Sequence, residues 1–148
     1  MVSALTDHLG YLLRQLSNHV SQGFAQNLAA EGVTVAEWVF MRELYDEEAL
    51  PSVRLAERLG MTRGAITKLG DRLMARGLIL RGSAAADRRV QALRLTAAGR
   101  ALVPRLAALA DANDAAAFGH LSPQDRDRLQ SLLHDLIRHH GLHFPPTA

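Results

Sequence analysis

The sequence holds no cysteine in 148 residues. That excludes disulfides, thiolate metal sites and thiol-based redox sensing. Aromatic residues are scarce, at 5%, with Trp38 the one tryptophan. No run of about 18 apolar residues occurs, so no transmembrane helix is expected. The opening stretch, MVSALTDHLGYLLRQ, sets an acid before its apolar run and has no basic lead, which is a poor secretory signal. A cytoplasmic protein without membrane attachment is the expectation. The chain also lacks a Gly-rich phosphate loop, an H-E-x-x-H pair and a Gly-x-Ser-x-Gly elbow, so neither an enzyme nor a cofactor is expected. Acid is missing from one region in particular. Between Ser52 and Arg100 three acids stand against eleven basic residues, a local charge of +8, while the whole chain carries +2. A basic middle between acidic flanks suits a polyanion-binding module on a scaffold that does not itself bind.

The hydrophobic pattern is mostly helical. Leu5, Leu9, Leu12, Leu16, Val20, Phe24 and Leu28 recur by three and four, which predicts one long amphipathic helix ending before Gly32. Thr34 and Glu37 form a capping box for a second helix running to about Tyr45. DEEALPS reads as a loop, with Ser52 as the N-cap of a third helix that Gly60 stops. Thr62 caps a fourth helix, whose buried stripe is Ile66, Leu69 and Leu73 and which Gly77 ends. Two helices joined by a short Gly-containing turn are a helix-turn-helix. The period then changes. LILR and VQALRL read as strands, the second placing Gln91, Leu93 and Leu95 on one face. GSAAADRR between them reads as a loop too long for a two-residue turn, the tip of a wing. Thr96 caps a further helix that Pro104 should kink. Ser122-Pro123 opens the last helix, striped by Leu129, Leu132, Leu133, Leu136 and Ile137.

A helix-turn-helix aims the start of its second helix at base edges in the major groove. With the apolar stripe inward, Arg63, Gly64, Thr67, Lys68 and Asp71 point outward. Arg63 can donate two bonds to guanine, Thr67 can touch a base or a thymine methyl, and Lys68 suits a phosphate. Gly64 permits close backbone approach. Ser52, Thr62 and Arg72 complete the candidate set on these helices. At the wing tip, Asp87 can hold Arg89 in position for a narrow minor groove while Arg88 takes a phosphate. The alternative for these charges is a solvated face with a local ion pair, worth about 0–1 kcal/mol.

The block LAERLGMTRGAITKLGDRLMARGLI, the DRR wing tip and LRLTAAGRAL resemble the MarR family of winged helix-turn-helix regulators, and the likeness spans nearly the whole chain. The resemblance implies a mainly α fold with a small β-hairpin. It implies a homodimer built from residues 1–31 and 97–140, a DNA-binding region over 34–96 and a flexible tail over 141–148. It further implies binding to double-stranded DNA at a pseudo-palindromic operator, usually as a repressor, with release by a small lipophilic or aromatic-acid effector. Under it Asp87 and Arg89 match the family's wing acid and minor-groove arginine, and Thr62 to Lys68 match the start of its recognition helix. Gly70 stands where a β-branched residue is common, and Gly82 where a basic residue often precedes the wing tip. An architectural winged helix with little sequence preference or ligand response is the other reading. A specificity ratio above about 10³ separates the two.

Trp38, Met41 and Tyr45 follow one another by three and four residues and can face Tyr11, Leu12 and His19 of the first helix. Such a cleft suits a small aromatic acid, with His19 or Arg42 offsetting its charge and His8 a weaker candidate. Core packing is the plainer reading of the same residues. His139 and His143 have metal-ligand spacing only if the last helix continues through Gly141, which argues against it; with His120, His134 and His140 they read as surface or interface histidines, and no metal is expected.

Overall fold

The computed structural model describes residues 1–84 and 87–142, apart from the side chains of residues 83–90. Short-range signals place most of the elements. A 3-10 turn, Leu5–Asp7, precedes α1 (Leu9–Ala29). The expected single helix from Leu5 is thus divided. His8 is extended, and the Asp7 carboxylate accepts a bond from the Ala4 amide instead of joining the helix. Gly32 follows α1 with φ of +71°. In α2 (Val35–Tyr45) the Thr34 hydroxyl accepts from the Glu37 amide and the Glu37 carboxylate from the Thr34 amide, which completes the capping box.

Two sequence expectations need correction at the sheet. Ser52 is not a cap. Leu50–Pro51 form β1, Pro51 takes the capping position without a side-chain bond, and α3 (Ser52–Leu59) begins at Ser52 itself. The residues DEEAL looked like pure loop because a two-residue strand carries no periodicity. It exists only because β3 lies opposite, pairing Leu50 with Leu93 and Pro51 with Ala92. A proline is tolerated there because the strand is at the sheet edge. The second correction concerns the wing. β2 (Ile79–Ala84) and β3 (Asp87–Leu95) run further toward the tip than GSAAADRR suggested, and Ala84 pairs with Asp87 after a register shift at Ser83. Small and charged residues mask a strand whose ladder is held by backbone bonds. The sheet order is β1-β3-β2, all antiparallel.

α4 (Arg63–Ala75) starts on the Thr62 cap, whose hydroxyl accepts from the Ala65 amide. Gly60 and Gly77 end α3 and α4 in the left-handed conformation. α5 (Ala97–Phe118) starts on Thr96 and carries Pro104 inside it; α6 (Pro123–His139) starts on Ser122. The core lies in the lobe formed by α2, α3, α4 and the sheet. Phe40, Met41, Leu44, Leu55 and Leu73 are fully buried there, joined by Leu28 of α1 and Leu102, Val103 and Leu106 of α5. Beyond the core the terminal helices are largely exposed. α6 buries no residue and α1 buries only Leu28. Leu9, Leu12, Leu13 and Leu16 of α1 are exposed, as are Leu132, Leu133, Leu136 and Ile137 of α6. Among the described residues no helix is long and apolar enough to cross a membrane.

Candidate nucleic-acid interface

The apolar stripe of α4 fixes which side chains face outward. Ile66, Leu69 and Leu73 are buried, and Arg63, Gly64, Thr67, Lys68 and Arg72 are exposed. Arg63 and Gly64 lie in the first turn, where free amides and the helix dipole favour a phosphate. The Thr67 hydroxyl donates to the Arg63 carbonyl at 3.0 Å, which leaves its methyl outward for an apolar contact. Thr62 is exposed, but its hydroxyl is committed to the cap. Ser52 is half-buried. It lies with Thr67, Arg81 and Gln91 around a groove between the start of α3, the outward face of α4 and the sheet.

The structure also sorts the basic cluster. Arg58 is bound to Glu47 at 3.0 Å and lies 3.8 Å from Glu43. Arg76 donates to the Gly32 carbonyl at 2.7 Å and meets the buried Glu37 at 3.4 Å. Arg100 donates to two backbone carbonyls of the α2–β1 corner. These three are engaged in holding the fold together. Arg54, Arg63, Lys68 and Arg72 are exposed and have no acidic partner among the described residues. Their charge is left uncompensated, which is what a polyanion needs.

Arg81 was missed by sequence reasoning. From β2 it reaches over α4 to Asp71 at 3.3 Å. Gly70 makes room for it, since a Cβ there would come within 3.2 Å of the guanidinium. The glycine where a β-branched residue was expected is therefore a passage for the arginine that ties the wing to the recognition helix. A charge pair ten residues apart, on a helix and the following strand, was the available signal. The side chains of Asp87, Arg88 and Arg89 lie outside the described residues, so the wing-tip assignment is neither built up nor altered here.

The proposed effector residues do not converge within one chain. Trp38 packs edge-on against Phe24, with ring centroids 6.4 Å apart. Phe24 is thirteen residues beyond Tyr11, about 20 Å along a helix, so Tyr11 and Leu12 do not face Trp38 as expected. His19 turns another way and lines a cleft of about 330 Å³ between α1 and α5, with Gln22, Gln26 and Asn113. Met41 is fully buried in the core and lines no cleft. Arg42 pairs with Asp46 at 2.8 Å, and both Arg42 and Arg100 stand 5.8 Å from the centre of the Tyr45 ring. Near the C-terminus α6 stops at His139 and Gly141 is left-handed, so the helical spacing that would join His139 to His143 is broken. His143 lies outside the described residues. His139 instead meets His140 edge-on, and no group of three metal-ligating residues occurs among the described residues.

A family model described as the MarR family matches residues 33–90, from the second helix to the wing. The HTH-type transcriptional repressor Rv2887 of Mycobacterium tuberculosis is 32% identical over 120 residues, 80% of this chain and 86% of that protein. The crystal structure of a probable transcriptional regulator from Pseudomonas aeruginosa is similar with a TM-score of 0.80 and 30% identity, over 90% of this chain and 100% of that one. The structure of Bordetella bronchiseptica BpsR, whose DNA binding is regulated by 6-hydroxynicotinic acid, has a TM-score of 0.81 and 27% identity, over 92% and 97% of the two chains.

Proposed function

The chain belongs to the MarR family, and on that premise we propose that two copies of it repress transcription at a pseudo-palindromic operator and that a small aromatic acid releases the DNA. The observation that carries this reading is the pairing of two surfaces. One is the row of uncompensated cations on α4. The other is the set of exposed leucines on α1 and on α6. A recognition helix in one major groove needs a second copy about 34–36 Å away to read the next one. The bare leucines supply the surface on which that copy docks. Residues 1–31 and 97–140 are then the dimerisation region, 34–96 the reading region and 141–148 a tail.

Within this reading Arg63 addresses a base, Lys68, Arg72 and Ser52 address phosphates, and Arg89, positioned by Asp87, enters the minor groove beside a phosphate contact from Arg88. Arg63→Ala is expected to cost about 1–3 kcal/mol in operator binding and to relax preference at one base position. Lys68→Ala should weaken binding evenly across sequences and lower the salt slope by about one. Equal losses on operator and random DNA for both variants would assign Arg63 to the backbone.

The effector is proposed to act beside Trp38, at the junction of α1 and α2. The regulation of BpsR by an aromatic acid supports that ligand class. Such a ligand need only favour a dimer whose recognition helices are mis-spaced. A 10²-fold preference between the two states supplies about 2.7 kcal/mol per site. Titrating the operator complex with aromatic carboxylates should release DNA and shift Trp38 emission together. Release with unchanged emission, and unaltered by Trp38→Leu, would move the site to the His19–Asn113 cleft or elsewhere.

A further inference from the structure

The segment Thr96-Ala97-Ala98-Gly99-Arg100 carries more contacts than a helix start requires. The Thr96 hydroxyl caps α5 through the Gly99 amide and also donates to the Gly77 carbonyl at 2.7 Å, just past the end of the recognition helix. The Thr96 amide donates to the Leu78 carbonyl at 3.0 Å. That carbonyl lies so close to Gly99 that a Cβ there would stand 2.2 Å from its oxygen. Arg100 then reaches to the opposite side of the lobe. One guanidinium nitrogen donates to the Tyr45 carbonyl at 3.0 Å and the other to the Glu47 carbonyl at 2.9 Å. The Glu47 side chain is itself held by Arg58 of α3 at 3.0 Å. The first turn of α5 is thereby fastened to the C-terminal ends of both α2 and α4.

We infer that Arg100 is a positioning residue for operator recognition: by fastening α5 to the α2–β1 corner it fixes the angle between each reading lobe and the dimer, and so the half-site spacing that the dimer accepts. The inference rests on the operator-binding reading above. Its physical basis is the fork geometry of arginine. Two N–H groups of one planar guanidinium on two carbonyls, those of Tyr45 and Glu47, resist rotation about either bond axis, whereas one point contact does not. Without the fork, α5 stays attached at Thr96 and Gly99 and through the buried Leu102, Val103 and Leu106, but its first turn loses its bonds to the α2–β1 corner and a small pivot of the lobe against it is no longer resisted there. A pivot of a lobe that sits far from the two-fold axis displaces its recognition helix along the DNA. Arg100 touches no base in this scheme, although its charge falls in the basic segment.

The test uses the full chain and a duplex selected by the wild type from a random-sequence library. Duplexes with one base pair added or removed between the half-sites shift one half-site by about 3.4 Å and a tenth of a turn. The wild type is expected to bind these about 100-fold more weakly. Arg100→Met should still form dimers, bind the selected duplex about tenfold more weakly and discriminate among spacings less than tenfold. Arg100→Lys, which keeps the charge but replaces the rigid planar fork with a single ammonium on a flexible stem, should fall between them. Wild-type spacing discrimination in both variants overturns the inference. So does a loss in Arg100→Met that is the same for every spacing and tracks a fall in Tm, since that marks support of the fold alone. A wild-type chain that selects no palindrome overturns the operator reading itself, and is told apart because it needs no variant.

Discussion

A chain carrying both Leu132→Asp and Leu136→Asp should sediment as a monomer and lose operator affinity by about 10³-fold or more. The two leucines are four residues apart on α6 and are 53% and 50% exposed in the single chain. They lie on one face of a helix with no fully buried residue in its own chain. Burying a leucine is worth about 1.5–3 kcal/mol, and a two-fold interface counts each one twice. An aspartate at the same place must be desolvated without a partner or keep the surfaces apart. The fold of the reading lobe should survive, because its core is formed by other elements. Operator binding should not survive, because one lobe holds one half-site and retains mainly the salt-dependent contacts. Sedimentation velocity and a salt-titrated gel shift measure the two halves of this prediction. A stable dimer of the double variant would place the interface on another surface.

Gly99→Ala should destabilise the protein by about 2–4 kcal/mol, although alanine is normally the better helix former. The added Cβ would stand 2.2 Å from the Leu78 carbonyl oxygen, a backbone atom that cannot rotate away. That oxygen also accepts from the Thr96 amide, so relief of the clash breaks the bond that starts α5. Overpacking of about 1–3 kcal/mol and a lost hydrogen bond of about 1 kcal/mol give the total. Thermal unfolding should shift down by roughly 5–15 °C. Gly64→Ala is the control. It is also helical, but its nearest neighbour, the Thr62 hydroxyl, is 3.9 Å away, and stability should hold or rise. Equal behaviour of the two variants would show that α5 starts with more freedom than the contact implies.

The order of helices, four of their caps and most of their stops were legible in the sequence because each depends on atoms a few residues apart. Thr34 with Glu37, Thr62 with Ala65, Thr96 with Gly99 and Ser122 with Asp125 are bonds across three residues. Gly60 and Gly77 need only their own left-handed backbone. The outward face of α4 followed from the period of its apolar stripe, and the family resemblance from contiguous blocks. Three residues of separation on a helix fix direction without any knowledge of the rest of the chain.

What only the tertiary structure decided are the pairings between residues far apart in the chain. β1 exists because β3 lies beside it, and its two residues carry no pattern of their own. The basic segment looked uniform, yet Arg58, Arg76 and Arg100 are spent on acids and carbonyls up to 55 residues away, while Arg63, Lys68 and Arg72 are exposed with no acidic partner among the described residues. The spacing of Trp38, Met41 and Tyr45 along α2 said nothing of their neighbours. Packing put Met41 in the core and Trp38 on Phe24, and left the other candidates on separate surfaces. Periodicity assigns a side chain to a face of its own helix. Which element covers that face, or whether only a second copy can, depends on how the helices are set against one another, and that is fixed by long-range contacts such as those of Gly99 and Arg100.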